Sequence, residues 1–256
     1  MSIHLHDVGN ITGRKNHEQK IEQVIQIIET GTAKLDFEDG IEKECIEDIA
    51  EAHGGEPTNI VHLDKDSKVL GHSVNKKQIA SILRLADEIS DDYTRADKLL
   101  LQAGTLPPEI VIYHKYSFCL KTAEYIADSK IISYLFRVDE VDLKKKFPKK
   151  NKAGNIEEIY LIDEIYERTM KTFLELLFCS KFFRPHIQID QVRVHIDINM
   201  EEENKYGRNI VKSIQYNIDD LGYPTIDFKT LCPDSENLTG EILAQKLIDK
   251  TFDNVK

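Results

Sequence analysis

His4-Leu5-His6-Asp7-Val8-Gly9-Asn10-Ile11-Thr12-Gly13-Arg14-Lys15-Asn16-His17-Glu18, near the start of the 256-residue chain, decides how its first hundred residues are read. It sets an adjacent His-Asp pair beside a small-residue turn, and a further His follows in the same stretch. Consecutive residues leave a helix about 100° apart, so His6 and Asp7 reach one ion only near a helix end or with a fitting pair of rotamers. A single ion takes about three or four N or O ligands, which makes the pair half of a site. His17, His53 and Asp87 are the candidates for the other half. Taken alone, a His-Asp dipeptide is more often chance than a ligand pair.

Three later stretches change that balance. Ile46-Glu47-Asp48-Ile49-Ala50-Glu51-Ala52-His53-Gly54-Gly55 reads as a helix ending in a His and a Gly-Gly stop. Ile79-Ala80-Ser81-Ile82-Leu83-Arg84-Leu85-Ala86-Asp87-Glu88-Ile89-Ser90 reads as an amphipathic helix with an Asp one turn beyond Leu83. Asp91-Asp92-Tyr93-Thr94-Arg95-Ala96-Asp97 follows it. The ordered set, His-Asp, then a His, then a helical His, then LRLADEIS with its Asp, resembles the HD superfamily of metal-dependent phosphohydrolases over roughly residues 3 to 100. HDVGNITGRKNHE together with ADEISDDYTRAD is similar to a branch of that superfamily found beside ATPase or stress-response modules.

The resemblance implies a helical HD-type domain, one or two divalent ions, and hydrolysis of a nucleotide or similar phosphoester. Carried onto this chain, Asp7 bridges the ions, His6 and Asp87 hold one, and His17 and His53 hold the other. The ligand types suit Mn, Fe, Ni, Zn or Mg. Arg14 and Arg95 are the expected contacts for substrate phosphates, because a guanidinium matches phosphate bidentately. The plain alternative for each is a salt bridge to the many local acids. One position departs from the pattern. Members of the superfamily carry another metal-binding His on a helix well before the pair, whereas only five residues precede His6 here and His4 lies too near it to substitute. A shortened chain or an incomplete site is therefore expected, with Ile3, Leu5 and Val8 left for a second copy or a partner chain to cover. A binding or regulatory module that keeps the scaffold without turnover is the alternative function.

The residues also carry readings independent of the resemblance. Ile21, Val24, Ile25 and Ile28 recur at helical spacing over residues 17–30, which puts His17 in the first turn, facing back toward the pair. His53 continues the apolar face of a helix over about 41–53, where a core His bonded to a backbone carbonyl is the ordinary alternative. Asp87 abuts the stripe of Ile79, Ile82, Leu83 and Ala86, and an Asp beside a buried stripe is costly unless paired or metal-bound. His62 and His72 fall in a loop-like stretch over 54–75 and read as surface residues.

Composition bounds the function. The net charge is −11, and the first hundred residues hold 20 acids against 12 Lys and Arg, so the acidic excess sits beside the motif. A long nucleic acid is disfavoured by such a surface, since its binding rests on neutralised phosphates. A small nucleotide at a metal ion remains compatible. Four cysteines (Cys45, Cys119, Cys179 and Cys232) without Cys-x-x-Cys spacing fit reduced thiols, and no secretory signal or apolar run of membrane-spanning length is present, so a cytoplasmic setting is expected.

Beyond Thr105-Leu106-Pro107-Pro108 the text changes to a mixture of elements. The expected fold class is thus α+β: an all-α HD-type domain over 1–104, then a smaller α+β domain over 105–256 with no legible role. Lys130–Val138 and His186–Ile198 read as strands, the latter with a bend near Asp190-Gln191. Ile156–Phe183 reads as one long helix, the basic run Lys144–Lys152 as a solvated loop, and residues 205–220 and 239–252 as helices.

Overall fold

The computed structural model describes residues 2–12, 17–31, 35, 37, 39–56, 58–90, 93–151, 153–184, 186–203, 209–219 and 238–254. These residues mix helix and strand, and they separate into two compact units. One unit comprises residues 1–88 with 176–188, and the other comprises 89–175 with 189–256. The change of text seen at 104 therefore lies inside the second unit, and a later segment returns to the first.

In the first unit, α1 (Ser2–Leu5) leads through a 3-10 turn to the 3-10 turn His17–Lys20 and α2 (Ile21–Thr30). α3 (Gly40–Ala52), α4 (Thr58–His62) and α5 (Lys76–Ile89) follow. Capping fixes the starts of the two long helices. The Asp39 side chain accepts the Glu42 N–H at 2.7 Å, and Asn75 Oδ1 accepts the Gln78 N–H at 3.1 Å. The stretch expected as loop before α5 holds α4 and a short antiparallel hairpin, β1 (Ser67–Val69) and β2 (His72–Val74), so this unit is not all-α. Gly71, at φ +81°, makes the tight turn that closes the hairpin, and Val69 packs inward.

Two apolar clusters hold this unit. Cys45, Ile49, Ala52, Ile60, Ala80 and Leu83 form one, with Phe178 and Phe182 packed against it. Leu5, Ile21, Ile25 and Ala50 form the other, flanked by Val8, Leu35 and Ile46. The expectation that Leu5 and Val8 lack cover is thereby corrected. Leu5 is 6% exposed, because α2 and α3 close over α1 and supply the apolar partners from within the chain. The side chain of Ile3 lies outside the described residues.

The second unit is built on a four-stranded sheet of order β3-β4-β7-β8. α6 (Lys98–Ala103) and α7 (Pro108–Cys119) precede β3 (Leu120–Ile126) and β4 (Ile131–Asp139). After α8 (Glu140–Leu143) come the hairpin β5 (Lys146–Lys150) and β6 (Ile156–Tyr160), then α9 (Leu161–Phe183), whose last turns belong to the first unit. β7 (Gln191–Glu203), β8 (Asn209–Asp219) and α10 (Gly240–Ile248) complete the chain. β4 and β7 run parallel, while the outer pairs are antiparallel. One sheet face is buried through Tyr134, Phe136, Val194, Ile196, Ile214 and Tyr216, and Thr172 and Thr169 of α9 hydrogen-bond the Tyr134 and Tyr216 hydroxyls at 3.1 and 2.8 Å.

Several expectations are corrected here. The basic run around Pro148 is strand β5, paired with β6, which was read as the start of the long helix. Pro148 is tolerated because a two-stranded ribbon leaves each strand one unpaired edge. Residues 209–219 form β8 instead of a helix: Ile214, Tyr216 and Ile218 bury one face at period two, and that alternation outweighed the helical reading. Strand β7 begins at Gln191, so Ile187 and Ile189 lie before it and the register conflict disappears.

Candidate metal centre

The first unit brings the expected ligands into one cluster. His6 Nε2 lies 3.7 Å from Asp7 Oδ2 and 3.5 Å from Asp87 Oδ1, so two carboxylates flank one imidazole. His17 Nε2 lies 3.0 Å from Asp7 Oδ1. The His53 ring stands edge-on to both other imidazoles, with centroids 4.9 Å from His6 and 5.8 Å from His17. His6, Asp7 and His53 each offer a donor atom within 4.8 Å of the others, a group suited to one metal ion. This trio takes His53 from one half of the expected two-ion set and His6 from the other.

Each element has a local reason for its place. His6 and Asp7 sit in the turn that ends α1, which is the helix-end position two consecutive ligands require. His53 is the C-cap residue of α3, carried inward by the face of Ile49 and Ala50. Asp87 stands one turn beyond Leu83 on α5. The walls differ in exposure: His53 is 4% exposed, whereas the Asp7 and Asp87 side chains are 43% and 31% exposed, so the cluster has a dry floor and an open mouth.

The protonation chemistry of His53 fits a ligand. Its Nδ1 is bonded to the Ala50 carbonyl, and a carbonyl only accepts, so Nδ1 carries the proton and Nε2 presents its lone pair. Metal-binding histidines commonly fix their tautomer in this way. Burial holds the His53 pKa below its ordinary value, with the neighbouring His6 adding to the depression and the Ala50 bond opposing it. The neutral form that coordination needs is the one this environment favours.

A family model described as HD-CE matches residues 1–148, more than half of the chain. The chain belongs to the HD-CE family. No curated protein and no solved structure gives a match. In this HD-CE chain, the matched span takes in the whole cluster and runs on into the second unit.

Three positions around the cluster escaped the sequence reading. Glu18, only 9% exposed, approaches His17 Nδ1 at 3.3 Å, so carboxylates stand at both nitrogens of that ring. Gly54 and Gly55 make room for it: a methyl on Gly54 would sit 3.2 Å from Glu18 Cβ, and Gly55 adopts φ +64° beside the carboxylate. The Arg84 guanidinium reaches the carbonyls of His53, Gly54 and Gly55 at 3.3, 3.5 and 3.2 Å, serving the acceptors that the end of α3 leaves open. Arg84 thereby ties the His53 turn to the helix that carries Asp87. Gly9 touches the backbone of His17, and any β-carbon there would overlap the His17 carbonyl.

The two expected phosphate contacts fall outside what the structure describes. Arg14 lies outside the described residues, as does the side chain of Arg95, whose backbone closes a 3-10 turn in the second unit. His4, His62 and His72 are exposed. No helix among the described residues is long and apolar enough to cross a membrane.

Proposed function

We propose that the first unit is an HD-type catalytic domain, a metal-dependent phosphohydrolase acting on a nucleotide or a similar small phosphoester. The observation that supports this reading most is the convergence of His6, Asp7 and His53 donors within 4.8 Å, with Asp87 on His6 and His17 on Asp7. Two carboxylates and three imidazoles gathered about one point match the mixed N and O set taken by Mn, Fe, Ni, Zn or Mg. A bound divalent ion would supply Lewis acidity toward a phosphoryl oxygen and lower the pKa of a coordinated water. His6, Asp7 and His53 would hold the first ion. Asp87 would help to hold it, and His17, braced by Glu18, would hold a second ion together with Asp7. The exposed side of Asp7 would leave room for a phosphoester to approach, with Arg14 as its proposed contact. The second unit is proposed as an accessory α+β domain, and the buried free thiols accord with a cytoplasmic setting.

Metal content after purification, followed by turnover of nucleotides and of a generic phosphodiester in Mn or Ni, tests the reading. Wild-type protein is expected to bind one or two ions and to hydrolyse a phosphoester, and Asp87→Asn to lose turnover while its circular dichroism stays unchanged. A folded wild-type chain that takes up no metal and turns over no substrate would leave the scaffold as a binding or regulatory module.

A further inference from the structure

We propose that Asn10 is a further member of the metal centre, its side-chain carbonyl oxygen serving the cation that Asp7 holds. The inference deepens the proposed function and rests on that centre taking up a divalent ion. Asn10 lies in the 3-10 turn Val8–Thr12, and its backbone N–H donates to the Asp7 carbonyl at 3.0 Å. A 3-10 turn has about three residues per turn, so side chains three apart stand one above the other. Asn10 therefore shares a side of the backbone with Asp7. The turn is also pinned against the candidate ligand that follows. Gly9 has no room for a β-carbon, because the His17 carbonyl lies against it. Backbone contacts thus fix Asn10 between Asp7 and His17.

The burial within this turn is the reverse of what stability alone selects. Asn10 Oδ1 is closed to solvent and has no hydrogen-bond partner, while the next residue, Ile11, is 80% exposed. Burying an amide oxygen without a donor is costly, and an exposed isoleucine returns nothing for it. A turn selected for stability would bring the isoleucine in and leave the amide in water. The imidazoles nearby direct nitrogens to other oxygens. Nε2 of His6 and of His17 approach Asp7, and Nδ1 of His53 is bonded to the Ala50 carbonyl.

An amide oxygen only accepts, so its fitting partner is a proton donor or a cation. The metal centre offers either one, as a divalent ion or as a water that the ion polarises. A carbonyl oxygen suits Mn2+ or Mg2+, and being neutral it adds no charge to a cluster that already holds the Asp7 and Asp87 carboxylates. Asn10 would therefore strengthen the hold on the ion without adding to the repulsion between carboxylates.

Mn2+ titration of the full chain in competition with a fluorescent chelator, with scanning calorimetry in excess EDTA, tests the proposal. Leucine copies the shape of asparagine without its polar atoms. Asn10→Leu is expected to keep the metal-free Tm at or above the wild-type value, since an unpartnered buried oxygen is removed, and to bind Mn2+ about tenfold or more weakly. Asn10→Asp is expected to bind Mn2+ at least as tightly as wild type, because a carboxylate oxygen replaces the carbonyl oxygen, and to have a lower Tm in EDTA. Water-proton relaxation by the bound Mn2+ separates two forms of the role. A rise in Asn10→Leu marks the oxygen as a direct ligand whose place a water fills, and an unchanged value marks it as the acceptor for a coordinated water. A lower metal-free Tm in Asn10→Leu, Mn2+ affinity in that variant within about twofold of wild type, or weaker binding in Asn10→Asp would each overturn the proposal. Wild-type protein that takes up no Mn2+ would overturn it together with the phosphohydrolase reading, whereas equal binding by wild type and Asn10→Leu would remove Asn10 alone.

Discussion

Replacing Arg84 with Met should both destabilise the first unit and weaken its hold on metal. One guanidinium nitrogen reaches the carbonyls of His53, Gly54 and Gly55 at 3.2 to 3.5 Å. A single nitrogen has two protons to give, so the three contacts amount to about two charge-assisted hydrogen bonds. Bonds to charged groups contribute about 1.5–3 kcal/mol each when buried, and partial exposure of Arg84 reduces that. A net loss of about 2 kcal/mol follows, equivalent to a fall in Tm of roughly 4–8 °C for a chain of this size. The second effect is positional. His53 caps α3, and freeing its carbonyl lets the imidazole drift from His6 and Asp7. Loss of such an outer support lowers metal affinity by about 10- to 100-fold. Scanning calorimetry of the metal-free protein reads the first effect, and competition against a fluorescent chelator reads the second. Arg84→Lys should recover part of each, because an ammonium reaches one carbonyl well. If Arg84→Met left Tm within about 1 °C and metal affinity within about twofold of wild type, the positioning role would be refuted.

Gly9→Ala should lower metal affinity more than it lowers stability, because the added methyl overlaps the His17 carbonyl and must push that ligand away from Asp7, now 3.0 Å from it; equal metal affinity in the variant would show that His17 lies outside the coordination sphere. Cys45, Cys119 and Cys179 are buried, and burial pushes the Cys119 thiol up to about 12, so a Cys232→Ser chain should show no thiol reactive to Ellman's reagent until unfolded. Rapid labelling of the native variant would contradict that burial.

The helices carrying the cluster were legible because their signals are local. Asn75 announces the start of α5 and Gly54-Gly55 the end of α3, which places His53 on an inward face. The stripe read on α5 is corrected, since Ile79 and Ala86 are exposed, Ala80, Leu83 and Leu85 are buried, and Asp87 is 31% exposed at the mouth of the cluster. Glu18 and Arg84 were not legible for a converse reason. Each acts on a partner that only tertiary packing brings near, and in sequence each is one more charged residue on a helix. Strand β5 was misread because a short lysine-rich segment has little apolar periodicity of its own and is held by β6, and β8 because the alternation of Ile214, Tyr216 and Ile218 was given less weight than a helical spacing. The cover over Leu5 and Val8 was missed because residues from α2 and α3 supply it across a long sequence separation.

Anomalous diffraction from crystals of this chain equilibrated with Mn2+ tests the central claim most directly, since it locates the ion without reference to any substrate. A peak within about 2.0–2.3 Å of donor atoms from His6, Asp7 and His53, weakened in His53→Ala crystals, is the predicted result. Well-diffracting crystals with His6, Asp7 and His53 clustered as described and no peak among them at millimolar Mn2+ would contradict it.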